Sequence, residues 1–468
     1  MSPPEPPNPS LWSSLKEALR GSEQDFTEAP MGRAILLLAV PMVLEMVMES
    51  IFALVDVFFV SRLGADAIAT VGLTESMLAI LYALAMGLSI GASAMIARRT
   101  GEKDPEGAAR VAVQAIGLAV LFSLPIAGVG LLFAPQLLAL MGGSPWVVEH
   151  GFRYTQLMLG GNLIILLLFL VNAIFRGAGD AAVAMRVLWI ANTLNILLCP
   201  CLVLGLGPFP ELGVMGAALA TTLGRGVGVL YQLYRLFLGS GRVKVRREHV
   251  RLEPALLLAM VRLSGSAMLQ MLLSTTSWVF LVRIIAVFGS AAVAGYTIAM
   301  RIVLFAILPA FGMSNAAATL VGQNLGAQRP ERAEQAVWRT GFYTMLFLGG
   351  LGGLFLLLAE PLIGTFTQDA EVARNAVGCL RIISAGFLFY GYGMVISQAF
   401  NGAGDTLTPL LLNLLCFWVV ELPVAWGLSG PLGLGPTGAF LSIALAFSLQ
   451  ALLGAAVFRR GRWKLRRV

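Results

Sequence analysis

The sequence predicts an all-α polytopic membrane protein: twelve transmembrane helices in two six-helix bundles related by a parallel pseudo-two-fold repeat. Two observations carry this. Of the 468 residues, 58% are apolar and only 12% charged, a balance outside the range of ordinary water-soluble domains. The chain also repeats at a constant offset of 225 residues: Gly64, Ala67 and Ala69 return as Gly289, Ala292 and Ala294, and Gly87, Ser89 and Ala92 as Gly312, Ser314 and Ala317. Gly101, Pro105, Glu106 and Ala108 likewise return as Gly326, Pro330, Glu331 and Ala333, and Phe175 with Gly177 to Asp180 as Phe400 with Gly402 to Asp405.

Residues 1–32 carry five prolines before Ser10 and no apolar core, so they read as a flexible cytoplasmic tail and not as a cleaved signal peptide. The N-lobe, 33–238, holds apolar runs near 33–61, 67–97, 108–134, 154–175, 181–206 and 213–238. Residues 239–253 form a basic cytoplasmic linker. The C-lobe, 254–458, repeats the pattern near 255–287, 292–322, 334–358, 380–400, 406–429 and 437–458, and 459–468 is a basic tail. Pro41, Pro125, Pro200, Pro309 and Pro423 fall inside runs and invite kinks.

Basic residues fix the orientation. With both termini in the cytoplasm of a multi-pass inner (plasma) membrane protein, 25 Lys and Arg lie inside and four outside (Arg62, Arg153, Arg374, Arg381), leaving Arg225, Arg283 and Arg301 within spans. The net charge of +7 is therefore assigned to topology and anionic lipid, with no nucleic-acid partner. Six spans per lobe make the repeat parallel, its axis along the membrane normal.

A carboxylate at the centre of a spanning helix costs about 2.5 to 3.5 kcal/mol on insertion scales, so each needs a reason. The first span holds Glu45, Glu49 and Asp56. At about 100° per residue they share one stripe, which must face protein or water. They serve either a cation or substrate, or packing through a partner such as Arg225. Their repeat mates are Gln270, Ser274 and Leu281, so the acidity belongs to the first lobe alone. In the second lobe Glu421, Arg283 and Arg301 suggest an ion pair, with a titrating or substrate-contacting Glu421 as the other reading. Glu75 lies either in the site or near the outer surface.

The two Gly-Ala-Gly-Asp segments lack the Gly-Lys-Ser/Thr of a phosphate loop and read as tight turns whose Asp180 and Asp405 cap the next helix. Cys199, Cys201, Cys379 and Cys416, with His150 and His249, show no metal-ligand spacing and no disulfide framework. No cofactor, metal or catalytic constellation is expected, and the chain is not read as an enzyme.

Val55 to Val60 followed by Leu63-Gly64, Asn172 to Asp180, Asn195 to Pro200 with Gly205, and the matching second-half segments resemble the multidrug and toxic compound extrusion (MATE) family over residues 33–458. The resemblance implies export of varied amphipathic, often cationic, small molecules against inward H⁺ or Na⁺, by a carrier expected to work as a monomer in lipid. It implies a first-lobe ion site at Asp56, Asn172, Asn195, Cys199 and Thr221, with Glu45 and Glu49 available to compensate, since Cys199 stands where one branch carries an acid. A second branch's acids fall on Ser274 and Tyr390, so that site is expected to be absent; Gln270, Glu421 and Glu75 remain secondary candidates. Losing a carboxylate weakens a sodium cage more than a proton site, so proton coupling through Asp56 is preferred. The alternative is a lipid-linked oligosaccharide flippase of the same broad superfamily, which would line its cleft with many more bases.

Overall fold

The computed structural model describes residues 10–239 and 241–466, without the side chains of Val57 and Ser61. A short helix, α1 (Leu11–Arg20), precedes the first lobe: α2 (Met31–Ser61), α3 (Ala65–Gly101), α4 (Pro105–Leu140), the short α5 (Pro145–His150), α6 (Phe152–Gly160), α7 (Asn162–Ala178), α8 (Ala181–Leu204) and α9 (Val214–Phe237). The second lobe is α10 (Pro254–Ala286), α11 (Ser290–Gly326), α12 (Pro330–Gly364), α13 (Ala370–Ala385), α14 (Phe387–Gly402), α15 (Leu407–Asn413), α16 (Leu422–Ser429) and α17 (Pro436–Arg459). A π-helical segment, Leu414–Glu421, joins α15 to α16 into one run.

Among the described residues ten runs are long and apolar enough to cross a membrane, and twelve when each of two bent pairs counts as one. The bent pairs are α6 with α7, at 42°, and α13 with α14, at 59°. They break at Gly161 and Gly386, which are repeat mates. The runs near 154–175 and 380–400 are thus angled pairs and not straight rods. In α4 the helical backbone breaks at Phe133, two residues before Pro135, and not at Pro125.

Each lobe has its own apolar core, one built around Leu88, Leu166 and Val187, the other around Val303, Phe387 and Phe440. The lobes meet reciprocally. A Cβ on Gly87 of α3 would lie 2.9 Å from Met268 Cα of α10, and a Cβ on Gly312 of α11 would lie 2.6 Å from Met42 O of α2, against Val43. Met268 is the repeat mate of Val43. The same exchange recurs a few turns on: Gly101 abuts the Gln323 carbonyl and Gly326 the Arg98 carbonyl, and 98 and 323 are mates. These four repeated glycines are therefore explained by close backbone approach across an interface that presents the same patch from both sides.

Every described hydrogen bond between the lobes lies at the end carrying the basic loops. Arg176 O accepts from Thr319, Gly177 O from Gln323, and the Ala403 and Arg466 carbonyls from Arg98. At the opposite end the mates Leu54 and Val279 are exposed.

The first 30 residues were expected to be flexible; residues 1–9 lie outside the described residues, and the rest is ordered. Ser10 caps α1 through Ser13 N, and Phe26 is buried under the turn at Gly179. Arg242 of the linker donates to Ser22 O and Gln24 O, while Arg329 and Arg332 of the second lobe donate to Thr27 O and Ala29 O. Residues 22–29 thus strap the two lobes together. Gly179 and Gly404 make the expected tight turns at φ 88° and 82°. Their aspartates do not cap, which corrects that expectation: Asp180 accepts from Arg242 N and pairs with its guanidinium, and Asp405 pairs with Arg466 and accepts from Thr408.

Candidate functional site

The acidic stripe of α2 faces protein along its length, held there by neighbours on α3, α7, α8 and α9. Glu45 is 1% exposed, and its Oε1 accepts from Arg176 Nη1 at 2.8 Å and from Asn172 Nδ2 at 3.3 Å. Asn172 in turn accepts from Gln232, which also bonds the Leu168 carbonyl. One turn on, Glu49 accepts from Asn192 at 3.0 Å and lies 3.7 Å from Arg225. Arg225 also donates to the Tyr82 hydroxyl and stands over the Phe52 ring.

Asp56 is set apart from both pairs. Its Oδ1 is buried and, among the described residues, has no hydrogen-bond partner. Around it, within electrostatic range, are Glu75, Arg225, Tyr154 and the buried Cys199 thiol. Asn195 and Cys199, four residues apart, share a face of α8. Asn195 Nδ2 donates to Thr221 Oγ1 at 2.9 Å, leaving its own Oδ1 buried and unpartnered.

The residues expected to form one site therefore divide into two layers. Asp56, Cys199, Glu75, Asn195 and Thr221 belong to the layer farther from the basic end, whereas Glu45 and Asn172 belong to a second, ion-paired layer. Arg176, Asn192, Gln232, Tyr82 and Tyr154 complete these layers and escaped the sequence reading. Arg176 escaped because it lies so near a span's end that it counted as a loop base. Repeat arithmetic was the available signal. Arg176 is the mate of Asn401, and Arg225 of Gln450. The first lobe's two ion pairs thus occupy positions that are neutral in the second, where Ser274, Asn413 and Gln450 form a hydrogen-bonded chain.

Between the lobes lies a cavity of about 60 Å³, lined by Glu45, Glu49 and Arg176 from one side and Phe311, Asn315 and Gln398 from the other. It has room for a few waters and none for a drug-sized molecule.

In the second lobe the expected ion pair of Glu421 with Arg283 or Arg301 is not formed. Glu421 is buried and accepts from Ser277 at 3.3 Å, while both arginines are exposed on their helices. Gln270 is buried, its Oε1 unpartnered among the described residues. His249, read as structural, meets Glu106 through Nε2 and takes the Arg246 amide on Nδ1. Glu248 joins them within 4.8 Å, and the Arg246 guanidinium already reaches both carboxylates.

Two mirrored six-span lobes that meet at one end around buried carboxylates define a membrane transporter of the two-bundle type. A family model described as MatE matches residues 41–201 and again 266–426, two stretches offset by the same 225 residues, and the chain belongs to that family. It is similar to a probable multidrug resistance protein, YoeA, of Bacillus subtilis (27% identity, covering 90% of this chain and 92% of that one). It is also similar to a probable multidrug resistance protein, NorM, of Thermotoga maritima (26%, covering 93% and 94%). Among solved structures it resembles an outward-facing multidrug resistance MATE transporter of the MOP superfamily, with a TM-score of 0.87, 28% identity and coverage of 94% and 97%.

Proposed function

We propose that this chain is a secondary antiporter exporting amphipathic, often cationic, small molecules, with Asp56 as the carboxylate that exchanges a coupling ion, by preference a proton, for cargo. The observation that carries the proposal is the Asp56 Oδ1, buried and unpartnered on a helix whose other two carboxylates are already engaged. A hard cation wants several oxygens. Here the Cys199 thiol stands within electrostatic range of Asp56 where another acid would stand, and the spare amide oxygen of Asn195 lies one turn away from Cys199 on α8. That donor set favours a proton over Na⁺.

The basic end, where the lobes touch, is then the cytoplasmic side of the plasma membrane, and the exposed opposite end is where cargo leaves. Proton uptake by Asp56 neutralises the one unengaged carboxylate of α2, and the rocking of the lobes couples that change to outward release of cargo. The flippase reading finds little support: Arg176 in the central cavity is neutralised by Glu45, and Arg225 is balanced by Glu49.

The test is dye flux in proteoliposomes under a pH gradient and, separately, a Na⁺ gradient. Flux driven by the pH gradient and abolished by Asp56→Asn is expected. Flux driven only by Na⁺, or unaffected by the substitution, overturns the assignment.

A further inference from the structure

The second lobe carries an open-mouthed chamber of about 300 Å³, several times larger than the cavity between the lobes. That volume is at the lower end of ligand pockets for drug-sized molecules. Its wall is apolar apart from a few groups, and among these is Glu421, 4% exposed. The carboxylate has one hydroxyl donor, Ser277, and no Lys or Arg within 4.0 Å among the described residues. The Tyr390 hydroxyl, also in the wall, is buried without a partner.

Aromatic rings share the wall with the acid. Phe447 lies 4.9 Å, centroid to centroid, from both Tyr390 and Phe417, and Trp278 donates its indole N–H to the Tyr296 hydroxyl. The first lobe does not share this lining. Trp278, Tyr296, Tyr390, Phe417 and Phe447 stand where the first lobe has Ala53, Val71, Ile165, Asn192 and Thr222, and Glu421 stands where it has Ile196. Five rings and one carboxylate have been placed in a single chamber of one lobe only. The backbone has changed as well: the span carrying Glu421 runs as a π-helix over Leu414–Glu421, whereas its counterpart α8 is α-helical throughout. π-segments widen a helix by one residue per turn and often mark functional positions.

We infer that this second-lobe chamber is a binding site for a hydrophobic organic monocation, with Glu421 as counter-charge and the rings of Trp278, Tyr390, Phe417 and Phe447 as its cage. A buried carboxylate without a counter-ion supplies the charge, and aromatic faces attract a cation that has shed its water. Anions and neutral molecules of the same shape gain only the apolar contact. The inference deepens the export reading, on which it rests, by locating cargo in a lobe separate from Asp56. Cargo and coupling ion then act through the rocking of the lobes and not by contest for one carboxylate.

Equilibrium dialysis of the detergent-solubilised full chain with tetraphenylphosphonium tests this, with tetraphenylborate, of the same shape and opposite charge, as comparison. Saturable phosphonium binding at one site per chain is expected, with no such borate binding. Glu421→Gln should weaken it by roughly tenfold or more, and Trp278→Ala should weaken it too, while Glu360→Gln, a surface carboxylate paired with Arg381, should leave it unchanged. Melting of Glu421→Gln and Trp278→Ala close to wild type establishes that both are folded. Should Glu421→Gln misfold, Trp278→Ala decides alone. Absent phosphonium binding, or binding that ignores both substitutions, overturns the site. Because no ion gradient enters this measurement, its failure is distinct from failure of Asp56-dependent flux.

Discussion

Glu45→Gln removes one half of an ion pair in which Glu45 is 1% and Arg176 12% exposed and the oxygen-to-nitrogen distance is 2.8 Å. Breaking a buried pair from one side leaves an uncompensated charge and destabilises by about 3 to 5 kcal/mol. The adjoining cavity of about 60 Å³ gives Arg176 access to water, so the lower figure, about 3 kcal/mol, applies. A lobe of roughly 200 residues melts with an entropy of about 0.4 kcal/mol/K, which converts that loss to a fall of about 7 °C in Tm. The duplication supplies the rescue. Glu45→Gln with Arg176→Asn installs in the first lobe the two neutral residues, Gln270 and Asn401, that the second lobe carries at these positions. The double variant should recover most of the loss, with a coupling energy of about 2 kcal/mol. Thermal melting of wild type, both singles and the double in detergent completes the cycle. The reasoning fails if Glu45→Gln melts within about 1 °C of wild type, or if the double melts below both singles.

Gly326→Ala and Gly101→Ala each push a Cβ into a carbonyl of the opposite lobe, of Arg98 and of Gln323, and backbone cannot yield there unless the lobes part. Spin labels at Glu102 and Ala327, with native cysteines replaced, should report a longer distance in either variant, and none in Gly350→Ala, where no neighbour lies within 4 Å; unchanged distances in all three refute the close-approach account. In the strap, burial pushes the Asp25 carboxyl up, but the Thr27 hydroxyl and amide and the charge of Lys103 outweigh it and hold it below the usual carboxylate range. A depressed folded value contributes stability that is present above the unfolded value of about 3.9 and is lost as pH falls through the folded one. With Asp25 37% and Lys103 70% exposed, the contribution is about 0.5 kcal/mol after solvent screening. Asp25→Asn should therefore melt slightly below wild type at pH 7 and together with it near pH 3, and a gap that persists or grows on acidification contradicts the strap's electrostatics.

The twelve spans were legible because span length and apolarity are local properties, fixed by the bilayer and not by packing. Eleven fall within about six residues of their expected bounds, whereas the tenth, expected near 380–400, begins ten residues earlier, at Ala370, because α13 forms its first limb. The stripe of Glu45, Glu49 and Asp56 was legible for the same reason: helical spacing alone puts three costly charges on one side. What each carboxylate meets was not legible, since Arg176, Asn192 and Cys199 reach α2 only once α7 and α8 have packed. The expected pairing of Glu421 with Arg283 or Arg301 failed because opposite charges in one bundle need not share a face; both arginines turn outward. The angled breaks at Gly161 and Gly386 were also hidden, because glycine within a helical run is tolerated at a cost and does not by itself dictate a break.

The repeat separates what the scaffold requires from what has been added to it. Some positions kept in both lobes lie where the halves touch, Gly87 with Gly312 and Gly101 with Gly326, and others shape each lobe's own turns and breaks, Gly179 with Gly404 and Gly161 with Gly386. Positions that differ lie inside the lobes, and they differ in chemistry and not merely in size. The first lobe carries Glu45, Glu49, Asp56, Arg176 and Arg225 against neutral mates, and the second Glu421 with five aromatic residues against aliphatic and polar ones. A symmetric interface lets two bundles rock against each other with equal contacts on either side of the axis, whereas asymmetric interiors let each respond to a different ligand. If both charge sets served packing alone, exchanging a residue for its own repeat mate would be tolerated wherever size allows. Asp56→Leu and Glu421→Ile, each copied from the opposite lobe, should then fold and remain fully active. The division of labour argued here requires that they fold but separate, the first losing ion-driven flux and the second losing phosphonium binding.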